Sequence, residues 1–320
     1  MTRAIIVGSG VVGSATGVGL EAKGHRVEYV DINAQRVAQL QNEGRAASTS
    51  IDLSGDPAFV FVTVPTPNNG NKFALSAIRA ASKAVGVALR DANALHTVVV
   101  RSTVPPGTCE QVVVPELEQA SGARAGAEFA VASNPEFLRA ACSCEDFLMP
   151  RVTVVGSRSA RTVERMVELY ADFGGEIRTF TNPAEAEFVK CAHNLYNATK
   201  ISFWNEMWRV ATKSRIRLDE VASTVALSAE ASFNPSYGTR GGSPYGGACL
   251  PKDTRGFLGY ARDLDVDMPL LEGVIAVNEH LEADDAEAAL DEPDAAPREH
   301  ARSASASAGG GRSDHDSSFR

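Results

Sequence analysis

The feature that most constrains this chain is a set of glycines placed between a strand and a helix. Ala4–Val7 is a short apolar run, Gly8-Ser9-Gly10-Val11-Val12-Gly13 follows it, and Val12–Lys23 has helical length before Gly24 stops it. Val27–Val30 is a second apolar run, and Asp31 closes it. In a β-α-β unit, glycines at this spacing let a pyrophosphate approach the backbone at a helix N-terminus. An acid at the end of the second strand binds the adenosine ribose. The plainer reading, a tight turn beside a solvated aspartate, leaves the strand and helix on either side unexplained. Gly8, Gly10, Gly13 and Asp31 are therefore candidate dinucleotide ligands. Asp31 disfavours a 2′-phosphate, which points to NAD rather than NADP.

The strand-helix alternation continues. Strand-like runs fall at Phe59–Val64, Val98–Val100, Phe129–Ala132, Val152–Val155 and Ile177–Phe180, with helical segments at Ala74–Leu89 and Ala160–Ala171. This predicts an α/β fold with a Rossmann-type, doubly wound parallel sheet over residues 1–183. After Pro183 the strand signal stops. Ala184–Lys213, Leu218–Ala229, Asp253–Leu264 and Leu270–Leu281 read as helices, interrupted by a Gly/Pro-rich stretch at Asn234–Gly247. Residues 184–280 form the predicted helical region. Residues 281–320 carry ten acidic residues against four arginines, −6 of the chain's net −9, with no large aliphatic side chain after Leu290. Such a segment buries too little surface to offset its ordering entropy, so it is expected to be disordered.

The acidic balance and the absence of a Lys/Arg run argue against a nucleic-acid partner. No stretch has the length of a membrane span, and the start has no signal-peptide layout, so a cytoplasmic protein with no membrane partner is expected. The five cysteines, Cys109, Cys142, Cys144, Cys191 and Cys249, show no CxxC spacing. Neither a disulfide framework nor a metal site is expected.

One cysteine stands apart. Gly246-Gly247-Ala248-Cys249-Leu250-Pro251-Lys252-Asp253 places a thiol in a glycine-rich loop, with a cation three residues on and a carboxylate four on. Lys252 stabilises a thiolate in such a setting, and Asp253 positions a water or a proton. Lys190 and Asn194, four apart on a helix, share one side of it. By composition alone a lone cysteine is more often inert core, and a Lys/Asn pair a solvated face.

The cysteine loop resembles the active-site loop of the UDP-glucose/GDP-mannose dehydrogenase family. Four further stretches resemble that family in the same order: Val64-Pro65-Thr66-Pro67; Ser102-Thr103-Val104-Pro105-Pro106-Gly107-Thr108; Asn134-Pro135-Glu136-Phe137-Leu138-Arg139; and the helix carrying Glu187–Lys190, Asn194, Lys200-Ile201 and Asn205-Glu206. The resemblance covers roughly residues 1–280. It implies NAD-dependent oxidation of a nucleotide sugar's 6-hydroxyl to a carboxylate in two steps. Lys190 assists proton removal, Cys249 forms a thiohemiacetal and then a thioester, and Glu136 acts as general base for hydrolysis. Thr103 and Asp253 hold the water, and Asn194 and Lys190 stabilise the oxyanion. Val12, Asp31, Arg36, Thr66, Thr103 and Lys252 contact NAD by position. Gly238, Thr239, Arg240, Gly241, Gly242 and Gly246 form the loop over the substrate, beside Glu136, Lys190 and Asn194. The long helix is where the family dimerises, which implies a homodimer.

The sequence departs from the family at three places. Ala140 stands where the family usually has a second glutamate, in a run where Cys142 and Cys144 are incidental. The segment from Gly44 to Asp56 is shorter and lacks the family's Glu-Pro-Gly-Leu motif. Resemblance stops near Glu279, before the second Rossmann-like domain that in the family helps hold the nucleotide, and the abrupt composition change leads us to expect a truncation or a reading-frame change near residue 282. These departures leave three other readings: an impaired relative that binds NAD only, an interaction protein or poorly folding product, and a 6-phosphogluconate-type hydroxyacid dehydrogenase. The last has no need of a nucleophilic cysteine.

Overall fold

A computed structural model describes residues 1–239 and 241–291. The chain divides into two compact units, residues 1–197 and residues 198 onward.

The first unit is built on β1 (Arg3–Val7), β2 (Arg26–Val30), β3 (Ala46–Ser48), β4 (Ala58–Val62), a small hairpin of β5 (Asn68–Asn69) and β6 (Lys72–Phe73), then β7 (His96–Val100), β8 (Phe129–Ser133), β9 (Val152–Gly156) and β10 (Glu176–Phe180). Its helices are α1 (Val11–Ala22), α2 (Ala34–Asn42), α3 (Ser76–Leu89), α4 (Val114–Ser121), α5 (Ser143–Leu148) and α6 (Ala160–Tyr170). The main sheet runs β10-β9-β8-β7-β4-β1-β2-β3. All its pairings are parallel except β8 with β9, which meet antiparallel at Ser133 and Gly156.

Side chains alternate faces along each strand, and helices cover both faces. Ile5, Val7, Val60, Val62, Val98 and Val100 pack with Ile78, Val85, Leu89 and Leu117 of α3 and α4. Their neighbours Ala4, Ile6, Phe59, Phe61 and Val99 pack on the other side with Leu20, Leu40, Phe147, Met166 and Leu169. Double coverage explains why these strands read as unbroken apolar runs. The chain's direction of travel across the sheet reverses between β1 and β4, and ligands of such sheets bind at the carboxyl ends of the strands there.

The helix α7 (Pro183–Lys213) runs across the division between the units. Its first turns belong with the sheet because Ala186, Glu187 and Lys190 are buried there, so the compact unit extends past the boundary expected at residue 183. The second unit contains α8 (Leu218–Ser228), α9 (Glu230–Phe233), α10 (Leu250–Asp263) and α11 (Pro269–Asp291). Its core is small: Val210, Ala261, Val266 and Met268, with Met207, Leu258, Leu264 and Leu271 against them. The expectation of disorder from residue 281 is corrected in part. α11 continues to Asp291, because the stretch is rich in Ala, Glu and Leu, which are strong helix formers. The rest of that tail, 292–320, lies outside the described residues. Among the described residues, no helix is long and apolar enough to cross a membrane and no cluster of metal-ligating side chains occurs.

Candidate active site

The glycine loop turns sharply from β1 into α1. Gly8 has φ +95°, and its amide donates to the Val30 carbonyl at 2.8 Å, which ties the loop to β2. A Cβ on Gly13 would lie 2.0 Å from the Gly8 carbonyl oxygen and 2.7 Å from Thr63 Oγ1, so only glycine lets α1 begin this close to the strands. At Gly10, the N-cap of α1, a Cβ would meet nothing within 4 Å. The loop is thus packed tight inside and open outside, at the positive end of a helix dipole. That is the surface a pyrophosphate needs, so the residues present fit a bound dinucleotide.

Asp31 sits at the end of β2 and braces the same loop. Its Oδ2 accepts from the Ser9 amide and hydroxyl, both at 2.8 Å, and its Oδ1 accepts from the Asn33 amide at 2.9 Å. Burial pushes the Asp31 carboxyl up. The hydrogen bonds from Asn33 and Ser9 and the charge of Arg36 outweigh this and hold it below the usual carboxylate range. Arg36 donates to the Ser9 carbonyl at 3.1 Å and to Ser14 Oγ at 2.8 Å, so its guanidinium braces the glycine loop from below. Val12 lies in the first turn of α1.

Three more candidates follow other strand ends. Thr66, after β4, donates to the Thr103 carbonyl, after β7, at 2.6 Å. Glu136, after β8, pairs with Lys190 of α7 at 3.1 Å, with Lys190 buried and Glu136 nearly so. Glu136 also accepts from the Leu138 amide at 2.6 Å, and the Lys190 ammonium lies over the Phe137 ring, 5.6 Å from its centre. Asn194 is exposed one turn further along α7. The sheet unit therefore brings together Gly8, Gly10, Val12, Gly13, Asp31 and Arg36 in one group, Thr66 with Thr103 in a second, and Glu136 with Lys190 in a third.

A network beneath these groups has no signature in sequence. The Asn134 Oδ1 accepts from Arg101 and from the Tyr170 hydroxyl, both at 2.6 Å, and its Nδ2 donates to the Val154 carbonyl at 2.7 Å. Arg101 is buried over the Phe147 ring. Arg101 directly precedes Ser102-Thr103, and Asn134 precedes Pro135-Glu136. The network therefore locks the ends of β7 and β8 together. Downstream, Ala140 opens a short 3-10 turn, and Arg139 is bound to Asp146 by its amide at 2.7 Å and its guanidinium at 2.6 Å.

In the helical unit, Cys249 is exposed at the N-cap of α10, and its carbonyl accepts the Asp253 amide at 2.8 Å. Lys252 and Asp253 pair with each other at 2.5 Å on the surface, and the bond that Lys252 donates to Asp253 pushes its ammonium up. Gly238, Thr239, Gly241, Gly242 and Gly246 lie on an exposed loop, while Arg240 is outside the described residues. Sequence gave no hint of what steadies that loop. The buried Asn278 of α11 accepts the Tyr245 amide at 2.6 Å and donates to the Tyr245 carbonyl at 3.1 Å. All five cysteines are free.

Comparison with known proteins agrees with this arrangement. Residues 46–174 match the NAD binding domain of the UDP-glucose/GDP-mannose dehydrogenase family, and residues 184–280 match its central domain. The chain is 33% identical to GDP-mannose 6-dehydrogenase of Pseudomonas putida, covering 87% of this chain and 68% of that protein. It is 32% identical to UDP-glucose 6-dehydrogenase of Haloferax volcanii, covering 86% and 69%. The crystal structure of a ternary complex of GDP-mannose dehydrogenase from Pseudomonas aeruginosa superposes with a TM-score of 0.81 at 31% identity, over 88% of this chain and 69% of that one. A Rossmann sheet with an open glycine loop, followed by a helical region matched to the central domain, places this chain in the UDP-glucose/GDP-mannose dehydrogenase family of NAD-dependent nucleotide-sugar dehydrogenases.

Proposed function

We propose that this chain oxidises the 6-hydroxyl of a UDP- or GDP-sugar to the carboxylate, through a covalent intermediate on Cys249. When bound, NAD would supply the hydride acceptor for each of the two oxidations at C6. Lys190 assists removal of the hydroxyl proton in the first step, and Asn194 and Lys190 hold the developing oxyanion. The Cys249 thiolate adds to the aldehyde to give a thiohemiacetal, whose oxidation leaves a thioester. Glu136 removes a proton from the water that cleaves the thioester, with Thr103 and Asp253 holding that water. Asp31, Arg36, Thr66 and Lys252, with the glycine loop, hold the cofactor. Gly238, Thr239, Arg240, Gly241, Gly242 and Gly246 close over the sugar nucleotide.

The observation that carries this reading is the buried Lys190–Glu136 pair at the carboxyl end of the sheet. A buried ion pair seldom adds net stability over apolar packing, and a coupled acid and base is what alcohol oxidation and thioester hydrolysis require. The test is NADH formation from a panel of UDP- and GDP-sugars. Two NADH per sugar, lost in Cys249→Ser, supports the proposal and names the substrate. A chain that is stabilised thermally by NAD yet forms no NADH with any sugar points to the second reading, a relative that binds NAD without turnover. Ala140, at the position of the family's second glutamate, favours that reading.

We also propose a homodimer through α7. Phe188, Leu195, Tyr196, Ile201 and Trp208 are exposed along it, and Phe188 and Leu195 share a face. Light scattering at the mass of one chain would overturn this.

A further inference from the structure

Glu187 lies one turn before Lys190 on α7 and is 2% exposed. Its two oxygens hold two backbone amides of the loop after β7: Gly107 donates to Oε2 at 2.5 Å and Cys109 to Oε1 at 2.8 Å. Among the described residues no Lys, Arg or His pairs with it. A carboxylate buried without a cation is expensive unless hydrogen bonds satisfy it, and an apolar side chain would hold a helix against a loop more cheaply. What a carboxylate adds is geometry. Two charge-assisted bonds from one planar group fix both the height and the rotation of the helix against the loop.

Both ends of that geometry carry candidate active-site residues. Three residues along α7, on the same face, is Lys190, paired with Glu136. Four residues back along the loop from Gly107 is Thr103, whose carbonyl accepts from Thr66. The loop is also fixed within itself: Gly107 has φ +90°, and Thr108 Oγ1 donates to the Pro105 carbonyl at 2.6 Å. Glu187 therefore joins a rigid loop to a rigid helix, and no other side chain on α7 makes two bonds to this loop among the described residues.

We infer that Glu187 is the positioning residue that sets Lys190 and Thr103 in register with each other. It touches neither substrate nor cofactor. Its role in turnover rests on the dehydrogenase reading above, but its control of Lys190 does not. Burial pushes the Glu187 carboxyl up, against the pull of Cys109 and the loop amides, and burial and the facing Glu187 carboxylate hold the Cys109 thiol protonated.

The experiment uses the full chain and three variants: Glu187→Gln, which keeps one acceptor and the shape, Glu187→Ala and Glu187→Asp. The first readout needs no turnover. It is the pH profile of Lys190 modification by an amine-reactive reagent, quantified by peptide mass. The expected result is a displacement of about one pH unit, or about tenfold in rate at fixed pH, in Glu187→Ala, with Glu187→Gln intermediate and circular dichroism unchanged. An unchanged profile in a folded Glu187→Ala protein overturns the inference. If the variants do not fold, hydrogen exchange of the parent chain decides. Protected Gly107 and Cys109 amides support the clamp, and freely exchanging ones sink it. Where the parent turns over a nucleotide sugar, Glu187→Gln lowers kcat. A parent that shows no turnover defeats the dehydrogenase reading and leaves the labelling result standing.

Discussion

In residues 1–197 the apolar side chains of the strands divide between two large clusters, one on each face of the sheet, with Ile5, Ile6, Phe61, Val99 and Phe129 almost wholly buried. In residues 198–291 the buried cluster is Val210, Ala261, Val266 and Met268, while Leu227, Phe233, Leu250, Phe257 and Tyr260 are exposed. Yet the two units use the same device to hold α7. Glu187 binds two loop amides in the first unit. In the second, buried Glu206 accepts the Leu270 and Leu271 amides, at 2.6 and 3.2 Å, at the start of α11. The sheet unit has a core that fixes its site from beneath, whereas the helical unit relies on a few polar clamps. Under the proposed function, the glycine loop and the Lys190–Glu136 pair belong to the first unit and Cys249 to the second.

The sharpest way to break that division is to remove the proposed nucleophile. Cys249→Ser is expected to lower acid formation by about 10³-fold or more, some 4 kcal/mol of transition-state stabilisation, while NAD affinity stays unchanged. Steady-state kinetics and a calorimetric NAD titration measure the two terms separately. Loss of NAD affinity in this variant would show that the units do not divide the labour as described.

Next in size is the glycine loop. Gly13→Ala places a methyl 2.0 Å from a backbone carbonyl that has no freedom to move, so a loss of about 3 kcal/mol is expected. Gly10→Ala points into open space and should leave thermal stability alone while weakening NAD binding. Thermal melts with and without NAD read both. Equal destabilisation by the two substitutions would mean that the loop's packed and open sides are not distinct.

In the helical unit the corresponding weak point is a clamp rather than a core position. Glu206→Ala strands two half-buried amides at a helix N-terminus and removes a favourable charge there, for about 2 kcal/mol. Denaturant unfolding should show the loss. If the helical unit depends on this clamp, hydrogen exchange should rise along α11 and stay constant in the sheet. Exchange that rises equally in both units would contradict the contrast.

How much of this was legible in the sequence follows the same contrast. β1, β4, β7, β8 and β9 stand out as apolar runs because helices bury both their faces. α2 does not stand out, because only Val37 and Leu40 of its nine residues are buried, and β3 has no fully buried residue. The glycine loop and Asp31 are legible as candidates from their spacing, whereas Thr103, Glu136, Lys190 and Cys249 gain their candidate roles from the resemblance of motifs in order. Ser9, Arg101, Tyr170 and Asn278 are not legible, because each acts on a backbone or side-chain atom far away in sequence: Tyr170 reaches Asn134, and Asn278 reaches Tyr245. Arg36 was expected as a cofactor contact, and its bonds to Ser9 and Ser14 give it a bracing role that position alone does not reveal.

The smallest expected effect tests whether the large core is also the acid-sensitive one. His96 on β7 is fully buried, and its Nδ1 accepts the Ala58 amide at 3.1 Å. Burial, with the charges of Arg3 and Arg165, pushes its imidazolium below the ordinary histidine range, against a smaller upward pull from Leu53. In the unfolded chain it protonates near its ordinary value of about 6.5. The unfolded state thus binds more protons below that point, so the stabilisation is complete above it and is lost as pH falls through the lower folded-state value. The helical unit has one histidine among the described residues, His280, exposed on α11. Thermal melts from about pH 7.5 to about pH 5 should therefore fall by a few degrees in the parent chain and less steeply in His96→Gln, whose amide oxygen still accepts from Ala58 without titrating. His25 and His193 shift in the same direction as His96, so the difference between the two slopes, not the parent slope alone, belongs to His96. Parallel slopes would place the acid sensitivity elsewhere and remove the buried imidazole from the account of how the sheet unit is held.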